Sequence, residues 1–129
     1  MIRIGFPYIE ISRSVPGPCH RVWDLLVDTE RWKEWGPSVA AVSCSDRRIR
    51  NGSTGWVETP LGLRVPFRVT EYEEGRFWAW TVCGIPATGH RVDNLGEGGC
   101  RLTFAIPTVA APYALICQAA AARIDAMLK

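Results

Sequence analysis

Two histidines, His20 and His90, are the side chains of this 129-residue sequence that ordinarily titrate near neutrality. His20 falls off the apolar face of a helical pattern, whereas His90 alternates with Arg91 in a strand pattern that turns it inward. An inward histidine suits proton transfer to a bound carbonyl or hydroxyl, and it equally suits a core position with its nitrogens satisfied. Spacing places no second acid or base beside it, so His90 stands as a lone catalytic candidate. The five cysteines, Cys19, Cys44, Cys83, Cys100 and Cys117, are odd in number, scattered, and without a Cys-x-x-Cys pair. Neither a zinc site nor a disulfide framework follows, and each reads as a small buried hydrophobe. No metal and no cofactor are expected.

Aromatic residues make the stronger signal. Six tryptophans in 129 residues exceed what packing a small domain demands. Phe67, Trp78, Trp80 and Phe104 share inward strand positions, offering flat surfaces to an aromatic or polycyclic guest, or simply filling a core. Ala110, Ala114, Ala120 and Ala121 slim the C-terminal helix opposite them, which leaves room for a ligand contacted by Tyr113, Cys117 and Ala121. Tyr113 and Gln118 are candidates to orient a polar end. Trp32 and Trp35 could gate the entrance, or staple two small helices to the sheet.

These side chains need elements to carry them. Phe6 to Ser14 alternates as a strand with Ile9 and Ile11 on its buried side. Pro16-Gly17-Pro18 ends it, with Gly17 suited to the N-cap and Pro18 to the first position of the next helix. Cys19, Val22, Trp23 and Leu26 then recur at helical spacing, and Asp28 can cap a second short helix that Gly36-Pro37 stops. From Ser38 to Thr108 strands alternate with turn chemistry at Asn51-Gly52, Pro60-Leu61-Gly62, Glu73-Glu74-Gly75 and Gly96-Glu97-Gly98-Gly99. In the best hairpin Tyr72 is expected opposite Phe77, and Pro66 demands a bulge or an edge. Val109 to Lys129 reads as a helix with Ile116, Cys117, Ala120, Ala121, Ile124 and Leu128 on one face and Asp125 roughly opposite.

This order is that of the helix-grip fold, an α+β fold in which a curved antiparallel sheet of about seven strands wraps a long C-terminal helix, with two short helices after the first strand. The stretches Val22-Trp23-Asp24-Leu25-Leu26, Phe67-Arg68-Val69-Thr70-Glu71-Tyr72, Phe77-Trp78-Ala79-Trp80 and Gly98-Gly99-Cys100-Arg101-Leu102-Thr103 resemble the SRPBCC (START-like, Bet v 1-like) superfamily, in its polyketide cyclase/dehydratase-type branch. The resemblance spans nearly the whole chain and implies one domain over residues 1–129 that binds a small hydrophobic ligand, of lipid, polyketide or aromatic type, between sheet and helix. It supplies no invariant catalytic residue. Two alternatives stay open: a cyclase or dehydratase using His90 as acid and base, and a protein-interaction module with a filled pocket. A void under roughly 100 Å³ would favour the last.

Composition narrows the partners. Hydrophobic residues at 47% and charged residues at 22% are ordinary for a globular domain. A net charge of +2 is too small for a nucleic-acid footprint. The Arg47-Arg48-Ile49-Arg50 cluster before Asn51-Gly52 reads as a solvated turn. No apolar run is long enough for membrane insertion, and the start does not read as a signal peptide, so a cytoplasmic protein is expected, with a homodimer open.

Overall fold

A computed structural model, which describes residues 2–4, 8–108 and 114–129, joins eight antiparallel strands in one sheet. The chain runs β1 (Ile2–Ile4), β2 (Tyr8–Pro16), α1 (Cys19–Val27), a 3-10 turn (Thr29–Arg31), α2 (Trp32–Trp35), β3 (Ala41–Cys44), β4 (Thr54–Glu58), β5 (Arg64–Glu73), β6 (Phe77–Val82), β7 (Ile85–Gly96), β8 (Gly99–Pro107) and α3 (Ala114–Met127). Strands β2 to β8 are the seven expected, and three-residue β1 extends the edge. β3 to β8 form a meander, and β2 lies against β8, giving the curved sheet of the helix-grip fold. α3 packs on β2, β8 and α2, while α1 packs on β7 and β8.

The helix ends explain the placement of the first tryptophans. The last carbonyls of a helix have no partner inside it. In α1 the Asp24 carbonyl accepts from the Asp28 N–H, and the Val27 carbonyl accepts from the Ile49 N–H. The Leu25 and Leu26 carbonyls accept from the indole N–H groups of Trp35 and Trp32, both at 2.8 Å. The Asp28 side chain caps the 3-10 turn by accepting from the Glu30 N–H at 3.0 Å. At the front of α1 the N-cap is Pro18, one residue later than expected, because Gly17 takes a positive φ of 146° before the helix begins.

Three further expectations are corrected or refined. Tyr72 pairs with Trp78, not Phe77, because Thr70 is an extra residue that bulges β5 and shifts the register between Val69 and Glu71. Pro66 pairs with Trp56 of β4 on one side and on the other lies just beyond the last β5–β6 pair, Phe67 with Val82, so it needs no bulge and its edge is local. Its carbonyl points to the Cys83 N–H, just past the end of β6, so the missing proline N–H faces a turn rather than a strand. Asp125 is buried on α3, where it accepts from Arg13 Nε of β2 at 2.8 Å.

A disulfide joins Cys19 to Cys100, contrary to the reading of every cysteine as free. The pair is 81 residues apart in sequence, so spacing conceals it. Pairing of β2 with β8 puts Val15 opposite Cys100, and the turn at Gly17 brings the start of α1 back over that position. The arginine cluster is likewise tied down: Arg47 meets Asp28 and Glu30, Arg48 meets Asp24 and Glu74, and Arg50 meets Asp46. No helix among the described residues is long and apolar enough to cross a membrane.

Candidate functional site

Between the sheet, α2 and α3 lies a cavity of about 420 Å³. Trp78 and Trp80 of β6, His90 of β7, Phe104 of β8 and Cys117 of α3 line it, as do Trp32 and Trp35 of α2. Period-two alternation brings the strand residues to one face, and bulges set their aim. On β7, Ala87 and Thr88 together span the place of Trp80 on β6, and both reach the cavity. The Trp32 and Trp78 rings stack 5.5 Å apart at 6°, with Trp80 edge-on to each at 5.4 Å. Trp35 stacks on Phe104 at 6.1 Å.

Two expected contacts are elsewhere. Phe67 is buried behind the wall, against Trp32 at 5.6 Å and Trp80 at 5.3 Å, and does not line the void. Ala121 also faces away from it: α3 is turned so that Ile116, Cys117 and Ala120 meet the cavity. Tyr113 and Ala110 lie outside the described residues. Trp32 and Trp35 are 1% and 7% exposed and pinned to α1 carbonyls, which makes them fixed walls rather than a gate. Sequence reading did not place Val57, Val65, Val82 and Ile106 at the void, and gave Ala120 only as one of the small residues that leave room for it. Val65 and Val82 already had inward parity, and Ala120 follows Cys117 by one turn, so the signal was there for position but not for depth.

His90 is 3% exposed, stacked on Trp78 at 3.8 Å, and its Nδ1 lies 3.2 Å from the Trp78 carbonyl oxygen. Burial pushes its pKa down from 6.5 to about 3, against an opposing contribution from that carbonyl. The Cys117 thiol is pushed up to about 12 by burial and stays protonated. The Trp78 and Trp80 indole N–H groups find no acceptor among the described residues. Ser38, Thr59 and Thr88 add hydroxyls, and no Asp, Glu, Lys or Arg stands among the described lining residues. No group of metal-ligating side chains occurs among the described residues. Ile85 is both cavity wall and 65% exposed, which marks the mouth; Leu61, Leu63 and Leu115 stand exposed on adjoining segments.

A second polar cluster lies away from the cavity. Glu74 accepts from the Trp23 indole N–H and the Tyr72 hydroxyl, both at 2.6 Å, and from Arg48 at 2.9 Å. These bonds, Arg48 first, hold Glu74 down at about 2; partial burial and then Glu74 raise Tyr72 to about 12. The cluster ties α1 to the β5–β6 turn.

Residues 8–129 match the family described as polyketide cyclase / dehydrase and lipid transport. No curated protein matches the chain. Among solved structures, the protein Ms6760 of Mycobacterium smegmatis is 18% identical, with a TM-score of 0.69, over 100% of this chain and 96% of that one. The protein XoxI of Bacillus cereus is 11% identical with a TM-score of 0.76, over 95% and 96%. A conserved protein of unknown function from Enterococcus faecalis is 13% identical with a TM-score of 0.72, over 100% and 76%. At such identities the likeness is one of fold.

Proposed function

Because the chain belongs to the polyketide cyclase / dehydrase and lipid transport family, we propose that it takes up a small hydrophobic molecule of lipid, polyketide or aromatic type in the cavity between sheet and α3. The observation that carries this reading is the void itself. At about 420 Å³ it falls within the roughly 300–1,000 Å³ of ligand sites and well above a filled core. Its walls are mostly aromatic and aliphatic, with few polar groups, which is how apolar guests are held and oriented.

Binding without chemistry is the better supported form of this reading. A cyclase or dehydratase needs an acid and a base at the reacting carbon. With a pKa near 3, His90 is too weakly basic to take protons efficiently and is not protonated to give them at neutral pH.

The test uses native mass spectrometry of protein taken from its own host, with identification of any compound released on denaturation. The wild type is expected to carry one equivalent of an apolar compound. Ala120→Trp, which puts an indole into the void from α3, should carry none while its melting temperature stays within a few degrees. Equal occupancy in both proteins would sink the cavity reading.

A further inference from the structure

Beside the Ser38, Thr59 and Thr88 hydroxyls, the polar side chain deepest among the aromatic walls of the cavity is His90. A carbonyl oxygen can only accept, so the contact to Trp78 puts the ring proton on Nδ1 and leaves Nε2, on the other edge, a bare acceptor. Among the described residues His90 shows no other hydrogen bond. An acceptor on a cavity wall gains a hydrogen bond from a guest that brings an O–H or N–H. The same wall holds no described charged side chain, so an anionic guest would lose its hydration and gain no counter-ion. Capacity sets a third limit. At about 420 Å³ the void lies near the lower end of the roughly 300–1,000 Å³ of ligand sites, which suits a compact guest better than a two-chain lipid. The stacked and edge-on rings around it favour a flat guest.

We propose that His90 Nε2 is the specificity-determining acceptor of this cavity, which selects a compact, uncharged, flat molecule carrying a hydroxyl or N–H over carboxylates and two-chain lipids. The inference rests on the cavity being a ligand site. Equilibrium dialysis of the full chain against naphthalene, 2-naphthol and 2-naphthoate at neutral pH tests both, and tells them apart. The three probes share one ring system and differ in the group offered to His90. 2-Naphthol is expected to bind about tenfold more tightly than naphthalene, the worth of one buried hydrogen bond. 2-Naphthoate should bind at least about tenfold more weakly than 2-naphthol. In His90→Phe the preference for 2-naphthol over naphthalene should collapse. Equal affinity of the wild type for 2-naphthol and naphthalene, tight binding of 2-naphthoate, or an undiminished preference in His90→Phe overturns the inference. Should His90→Phe not fold, the ranking in the wild type decides. Retention of none of the probes overturns the cavity reading beneath it.

Discussion

His90 and Glu74 are both held below their ordinary pKa values, His90 by burial and Glu74 by its hydrogen-bond partners, and the two leave separate marks on stability. Burial lowers the folded pKa of His90 from 6.5 to about 3, so between those values the unfolded chain binds a proton that the folded chain refuses. Its contribution is complete above 6.5 and is lost as pH falls toward 3. Glu74, held at about 2 rather than 4.5 by Arg48 and Tyr72, contributes fully above 4.5 and loses that contribution below it. The interval from 6.5 to 4.5 therefore separates His90 from Glu74. The unfolding free energy of the wild type from urea titrations should fall through that interval by on the order of 1 kcal/mol per pH unit, and that of His90→Phe should fall less. Parallel curves would show that His90 is not held neutral by burial. Alternation in the sequence was enough to turn His90, Trp78, Trp80 and Phe104 inward. It said nothing of depth, which is why Phe67, behind Trp32 and Trp80, and Ala121, one position from Ala120, were expected at the void.

Elements meet closely at two places that govern stability. In β4, a Cβ on Gly55 would collide with the Ser43 carbonyl oxygen and stand 2.9 Å from Cys44 Cα and 3.0 Å from Phe67 Cζ. Two of those atoms are backbone and cannot rotate away. Gly55→Ala should destabilise the protein by about 1 to 3 kcal/mol, seen in chemical denaturation, and unchanged stability would contradict the close approach of β3. The second place is the staple between α1 and β8. A bond closing a loop across 81 residues is worth on the order of 4 kcal/mol by chain entropy. Reductant should lower the melting temperature of the wild type by roughly 5–15 °C and leave that of Cys19→Ala unmoved. A wild type indifferent to reductant would mean that the bond does not form in solution. Neither the staple nor the bulges at Thr70 and in β7 could be read from sequence, since the staple depends on pairing of β2 with distant β8 and the bulges on a register shift inside hairpins that no residue type marks. The turn at Cys83 and Gly84 was hidden for a local reason. Its residues take φ of 54° and 76°, the primed hairpin conformation, which cysteine seldom adopts and which Asn-Gly or Asp-Gly would have advertised.

At the scale of the molecule, the order of elements carried the fold because each helix and strand had its own start and stop chemistry, as at Asp28 and Gly36-Pro37. The volume of the cavity had no such local signature. It arises from the curvature of the sheet, the turn of α3 about its own axis and the anchoring of α2 by two indole N–H groups, all of them relations between elements. The same anchoring gives the molecule an optical property. Trp32, Trp78 and Trp80 lie 5.4 to 5.5 Å from one another, close enough for absorbed ultraviolet energy to pass among them before it is emitted. A guest that quenches one ring therefore dims the set. Trp56, 45% exposed on the outside, emits at the longer wavelength of an indole in water. One emission spectrum thus holds both the reporter and its internal reference, with no dye attached.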